Sequence, residues 1–262
     1  MALPFFSRDK DGVKIVKFSP GADSEAPTCE DGTPILPKVL VKVAAWSADG
    51  LHLALVDPGQ GVCVVDFTES AEVIVGEADG EDAYPGLHVI KGSSKTTQSL
   101  FWSPCSSSLV TNAVVPRGSD EPNLQIWRKN ASSESGDSTE YVSAASFTHN
   151  KLDKDKRVLQ WTMDEKYCCR LHPDGKITLH AGADVAGDAL AELRFPHPAV
   201  SFEFSWPRLP ASVARLAVFV GDTRDDMQRV VGPGEVSLWE VTGEGSSTEA
   251  KQCGGGAVPP RP

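Results

Sequence analysis

The stretch Val43-Ala44-Ala45-Trp46-Ser47-Ala48-Asp49-Gly50-Leu51 decides the fold. A short apolar strand ends in Trp and a polar turn follows. Leu51 to Val56 then reads as a second strand, and Gly61 to Phe67 as a third. Asp-Gly between two apolar runs is a hairpin signal, because Gly supplies the positive φ such a turn needs. The order returns at Leu100-Phe101-Trp102-Ser103-Pro104, followed by Leu109 to Val115 and Asn123-Leu124-Gln125-Ile126-Trp127. It returns again at Val158-Leu159-Gln160-Trp161 and at Phe202-Glu203-Phe204-Ser205-Trp206-Pro207. A unit of several short strands recurring at roughly 40 to 60 residues is the signature of β-propeller blades.

The expected fold is therefore all-β, a WD40-like β-propeller of about four to five blades, forming part of a larger ring. The propeller is expected over residues 1–241, with units near 38–75, 86–147, 149–195 and 197–241. Val13 to Phe18 alternates apolar and basic residues, as a half-buried strand does. Ser19 to Pro37 reads as a loop, Glu72 to Val75 as an outer strand, and Tyr167–Leu171 and Lys176–His180 as a hairpin. Ala214 to Val220 is a further strand, followed by a long loop from Gly221 to Gly234. Residues 242–262 are rich in Gly, Ser and Pro and read as a disordered tail. Helical periodicity is nearly absent; Leu152 to Leu159 and Ala186 to Leu193 are the two short candidates.

Composition narrows the function classes. The 262 residues carry a formal net charge of −11, with 40% apolar and 23% charged residues. That balance argues against a broad basic surface for nucleic acid or anionic lipid. No run approaches the roughly 18 apolar residues of a membrane helix, so no membrane partner is expected. The N-terminus lacks a basic segment and a long apolar core, so no secretory signal is expected. The six cysteines Cys29, Cys63, Cys105, Cys168, Cys169 and Cys253 include no C-x-x-C pair. Reduced, mostly buried thiols of a cytoplasmic protein are the reading. Asn130-Ala131-Ser132 matches a glycosylation sequon that is inert without secretion.

The residues that resemble chemistry have plainer readings. The six histidines are His52, His88, His149, His172, His180 and His197; none pairs with another at metal-ligand spacing. No metal, no cofactor and no catalytic residue is expected, and no nucleophile elbow of the G-x-S-x-G type occurs. Lys91-Gly92-Ser93-Ser94-Lys95-Thr96 lacks the leading Gly and following helix of a phosphate loop, so it reads as a solvated loop. Lys151-Leu152-Asp153-Lys154-Asp155-Lys156-Arg157 reads as a solvated charged face, with a partner contact as the alternative. Adjacent Cys168 and Cys169 on a strand should face opposite sides and be buried. The Trp residues have the area to fill the gap between neighbouring blades, so they read as core.

Several segments resemble the N-terminal β-propeller of the eukaryotic translation initiation factor 2A family. They are Phe5-Phe6-Ser7-Arg8-Asp9-Lys10-Asp11-Gly12-Val13, Trp46 to Leu51, Phe101 to Pro104, and Glu121-Pro122-Asn123-Leu124-Gln125-Ile126-Trp127. Gln160-Trp161-Thr162-Met163-Asp164-Glu165-Lys166-Tyr167-Cys168-Cys169-Arg170 and the segments from Phe202 to Trp239 continue the resemblance. It implies a non-catalytic initiation factor that binds the small ribosomal subunit and supports initiator tRNA delivery on mRNA, with other initiation factors as further partners. The family's propeller is larger and is followed by a basic helical region, so this chain is expected to hold about half of the ring. The alternative reading is a generic WD40-like protein-interaction scaffold. Which loops bind is not assigned by either reading.

Overall fold

The computed structural model describes residues 3–9, 12–19, 28–37, 41–67, 87–116, 118–130, 140–149, 157–205, 213–224, 227, 230–243 and 245–258. Its regular structure is β-sheet apart from one short 3-10 turn at Gly245–Ser247. Strands β1 (Leu3–Asp9), β2 (Gly12–Ser19) and β3 (Thr28–Pro37) form an antiparallel three-stranded sheet. The expected loop from Ser19 to Pro37 is thus a strand over its second half. Pro34 and Pro37 are tolerated there because β3 is an edge strand, and two register shifts against β2 absorb the misfit.

Four four-stranded sheets follow. The first has β4 (Ala44–Trp46), β5 (His52–Asp57), β6 (Gly61–Asp66) and β7 (Leu87–Val89), in sequential order. The second has β8 (Thr97–Trp102), β9 (Ser108–Ala113), β10 (Leu124–Lys129) and β11 (Tyr141–Phe147). The third has β12 (Leu159–Trp161), β13 (Tyr167–Leu171), β14 (Ile177–Ala181) and β15 (Ala191–Leu193). The fourth has β16 (Ala199–Phe204), β17 (Ala214–Val220), β20 (Glu235–Thr242) and β21 (Glu249–Ala257). A two-stranded ribbon, β18 (Thr223–Arg224) with β19 (Val230–Gly232), sits in the connection after β17. Each four-stranded sheet is an antiparallel meander, the architecture of a propeller blade, and the chain is all-β of the WD40-like propeller class.

Three expectations are corrected. The outer strand of the first unit was placed at Glu72–Val75, which lies outside the described residues; the fourth strand of that sheet is β7, so the unit reaches past residue 86. Cys63 opposes Val89 there, and the Ile90 amide continues the ladder to the Val62 carbonyl at 2.8 Å. The segment 242–262 is not a disordered tail over residues 249–257, which pair with β20 as β21. One of its glycines answers a packing demand: a Cβ at Gly255 would lie 2.7 Å from the Val236 carbonyl oxygen. The helical candidate at 186–193 ends in a strand instead, and the other, at 152–159, falls mostly outside the described residues. Leu159 opens β12 and Ala191–Leu193 is β15, while residues 150–156 lie outside the described set.

The chain packs as two compact units. One comprises Met1–Trp102, Leu109–Ser119 and Trp127–Ser143; the other comprises Ser103–Ser108, Asp120–Ile126 and Ala144–Pro262. In the first unit, β5 and β6 are buried on both faces, which explains their unbroken apolar runs Leu53-Ala54-Leu55-Val56 and Val62-Cys63-Val64-Val65. One face joins Leu100, Leu109, Trp127 and Tyr141, and the other joins Val13 and Val41. In the second unit Leu171, Ile177, Leu179, Leu216 and Val218 are fully buried. Each such side chain contributes about 1.5–3 kcal/mol of transfer free energy.

Candidate functional site

In three of the four-stranded sheets the Trp that closes the first strand is followed by a hairpin turn held by a Ser or Thr hydroxyl. The Ser47 hydroxyl accepts the His52 amide at 2.9 Å and donates to Asp49 Oδ1 at 2.5 Å. Asp49 Oδ1 also accepts the Leu51 amide. The Thr162 hydroxyl likewise accepts the Tyr167 amide at 3.1 Å and donates to Asp164 Oδ1 at 2.6 Å. Ser103 Oγ accepts the Ser108 amide at 2.9 Å. Burial works against ionisation of Asp164, but the Thr162 hydroxyl and the Lys166 amide outweigh it and hold the carboxyl below its usual range. Each turn contains one residue of positive φ: Gly50 at 72°, Ser106 at 63° and Glu165 at 53°. Glu165 bears the cost of that conformation because its carboxylate ties two turns together. It accepts the Cys105 amide at 2.5 Å and the Ser107 hydroxyl, while the Cys105 thiol donates to the Met163 carbonyl. Leu51 and Met163 are large apolar side chains exposed at these turns.

A second constellation lies on one face of the third sheet. Antiparallel register places Arg170 opposite Thr178 and Thr178 opposite Glu192, with Cys168 opposite His180 one row along. The turn His172-Pro173-Asp174-Gly175 brings His172 back to the same hydroxyl. His172 Nε2 and His180 Nε2 each lie 2.8 Å from Thr178 Oγ1. The tautomers follow from the outermost contact. His180 Nδ1 meets the Gly187 carbonyl at 3.2 Å, and a carbonyl only accepts, so Nδ1 carries the proton. His180 Nε2 is then bare and accepts the Thr178 hydroxyl proton, and Thr178 Oγ1 accepts from His172 Nε2–H. Both rings are neutral in this chain of donors.

The electrostatics reinforce that state. Burial, then the Arg170 and Lys176 charges, push His172 down to about 4. Burial pushes His180 down as well, against the pull of the Gly187 carbonyl. Arg170 places its guanidinium carbon over Phe147, 3.6 Å from the ring centroid. Its Nε is buried without a hydrogen-bond partner, and burial lowers its pKa. The carboxylate in register with this row, Glu192, is engaged by Arg194 at 2.5 Å and Lys176 at 3.9 Å. Beside the turn a cavity of about 340 Å³ is lined by Asp174, Lys176, Arg194, Phe195, His197 and Pro198 among others.

The first unit holds a contrasting polar group. Asp66 is fully buried, with Lys129 Nζ at 3.2 Å and His52 Nε2 at 3.5 Å from its Oδ2. His52 Nδ1 lies 3.7 Å from Asp49, and the His52 ring packs 5.6 Å from that of Trp102. Burial, then Asp66 and Asp49, push the Tyr141 phenol up.

The sequence features singled out as resembling chemistry fall as follows. In Lys91–Thr96, the Ser93 hydroxyl accepts the Val62 amide at 2.8 Å and donates to the Ile90 carbonyl at 2.7 Å, so it latches β6 to the loop. Cys168 and Cys169 face opposite sides and are both fully buried; burial raises Cys169. Burial, then Asp57, pushes Cys63 up to about 12. Cys63, Cys105, Cys168, Cys169 and Cys253 are free thiols. Trp127 and Trp161 are core residues, donating to Thr111 Oγ1 and the Gly182 carbonyl. Trp206 and Lys151 to Lys156 lie outside the described residues. Among the described residues no three His, Cys, Asp or Glu side chains gather as a metal site, and no helix is long and apolar enough to cross a membrane. The Thr178 cluster was missed because its histidines are eight positions apart. The signal was the Pro-Asp-Gly turn after His172, which folds that spacing into one face.

No protein-family model matches the chain, and the comparison with curated proteins gives no match. Solved structures similar to it include the β-propeller domain of Cps50 (Swd1) from Myceliophteria thermophila, at 14% identity and TM-score 0.42. That match covers 82% of this chain and 62% of that one, so the chain spans less than two thirds of its length. Hsv2 of Kluyveromyces lactis is similar at 9% identity and TM-score 0.47, over 99% of this chain and 75% of that one. Hsv2 of Kluyveromyces marxianus is similar at 9% identity and TM-score 0.45, over 97% of this chain and 70% of that one. Likeness at this level assigns no activity and no partner.

Proposed function

We propose that the chain is a non-catalytic, cytoplasmic protein-interaction scaffold of the WD40-like kind. The observation that carries this reading is the repeated Trp-Ser/Thr turn. Three hairpins hold their backbones through an internal hydroxyl, and two of them present an exposed large apolar residue, Leu51 or Met163. Turns held rigid by a sheet and bearing exposed side chains are where binding residues collect. The test is to change Leu51→Ser and Met163→Ser and compare the proteins captured by parent and variants, with circular dichroism confirming the fold. A partner lost from either variant supports the reading; an unchanged partner set overturns it.

A narrower form of the same reading makes the small ribosomal subunit the partner, with initiator tRNA and mRNA held on it. The resemblance of Gln160-Trp161-Thr162-Met163-Asp164-Glu165 and the residues up to Arg170 to an initiation-factor hairpin supports it. Co-sedimentation of the chain with small subunits across a salt series checks it. Absence of the folded chain from the subunit fraction at low salt removes this form and leaves the general one.

A further inference from the structure

The Thr178 cluster gathers positive charge in a chain whose formal net charge is −11. Arg170, Lys176 and His180 all oppose protonation of His172, and Asp174 alone favours it. Four cation-capable side chains thus belong to one patch, and two of them, His172 and His180, are bonded to the Thr178 hydroxyl. Glu192, in the same register row, is engaged by Lys176 and Arg194. Among the described residues no carboxylate pairs with Arg170, and its Nε has no acceptor. A half-buried cation without a counter-ion is an unfavourable arrangement, and an arriving anion relieves it. The Arg170 guanidinium also sits over the Phe147 ring, its carbon 3.6 Å from the centroid. The planar fork of a guanidinium matches the two oxygens of a carboxylate.

Building on the scaffold reading, we propose that the Arg170–His172–Thr178–His180 cluster binds a carboxylate from an acidic segment of a protein partner. The overall charge selects this ligand over nucleic acid. A polyanion extends well beyond the cluster and meets the repulsion of an acidic surface, whereas a short acidic segment feels charges within a Debye length of about 8–10 Å. The bound carboxylate also reverses the bias on the histidines. It faces Arg170, His172, Lys176 and His180, favours their charged forms, and so binds more tightly as pH falls from 7.5 to 5.5. When His180 gains its second proton, Thr178 Oγ1 accepts from both rings through its two lone pairs, so the network accommodates the charge.

The experiment titrates a fluorescein-labelled octaglutamate peptide into the full chain and reads anisotropy at low salt. Arg170→Met is expected to weaken binding at least tenfold, Arg170→Lys less, and the parent to bind more tightly at pH 5.5 than at 7.5. Melting of Arg170→Met at or above the parent temperature shows that the loss is not unfolding. NMR of the His172 ring supplies a readout that a structural role would not move. Its titration midpoint is expected to rise with octaglutamate and to stay put with a matched Gly/Ser peptide. Equal affinity in Arg170→Met, or an unmoved His172 midpoint, overturns the proposal. Arg170-dependent binding of inorganic phosphate or of oligouridylate without binding of octaglutamate overturns it in favour of a free-ion or RNA site. Turn variants that lose their partners while octaglutamate binding persists break the turn-based scaffold reading and not this one.

Discussion

Each unit buries a polar cluster against a sheet, and the two clusters are opposite in character. In the first unit the buried charge is an acid: Asp66 has a lysine ammonium at 3.2 Å and an imidazole at 3.5 Å. In the second it is a half-buried base: Arg170 has an aromatic face and no carboxylate among the described residues. The first cluster is balanced internally and serves stability. The second has no counter-ion among the described residues, and the proposed carboxylate site rests on that imbalance. The difference teaches that burial of charge alone does not mark a site; the uncompensated sign does.

The largest expected effect breaks the balanced cluster. Asp66→Ala strands the Lys129 and His52 partners, and unfolding of the first unit should become easier by about 3 kcal/mol. Hydrogen exchange of β5 and β6 amides measures it; protection equal to that of the parent would contradict the assignment. Thr178→Val comes next. It removes the hydroxyl that joins His172 and His180 and leaves both Nε2 atoms without their partner, costing about 2 kcal/mol. Denaturant unfolding of Thr178→Val and of Thr178→Ser, which keeps the hydroxyl, checks it.

Arg170→Met should have the opposite sign. It removes an uncompensated charge and keeps contact with Phe147, so stability should rise by about 1 kcal/mol. A clear fall in melting temperature would show that the stacking outweighs desolvation. The smallest effect is the pH response. His172 binds its proton less readily folded than unfolded, so the unfolded state takes up more protons as pH falls. Its contribution to stability is complete above pH ~6.5, the ordinary histidine value. That contribution declines as pH falls and is lost by about 4. His172→Asn should flatten that decline, and melting curves from pH 7.5 to 4 resolve it.

Much of the fold was legible in local pattern. The Trp-closed strands, the Asp49-Gly50 turn and strands 167–171 and 214–220 are signalled within a few residues, because hairpins pair neighbours in sequence. β3 and β21 were not legible. Pro in one and Gly in the other oppose strand propensity, and pairing with β2 and β20 overrides it. The candidate site was less legible than the fold. Each member of the Thr178 cluster reads singly as an ordinary strand or turn residue, and its meaning comes from register across three strands.

Hydrophobic period and turn chemistry, both short-range properties, were enough to read an all-β chain of repeated hairpins. Which side chains share a face, which charge is left without a counter-ion and which tautomer each histidine holds depend on contacts between residues far apart in the chain. Those contacts were decided by tertiary structure, because desolvation and hydrogen-bond geometry exist only once the sheets have packed.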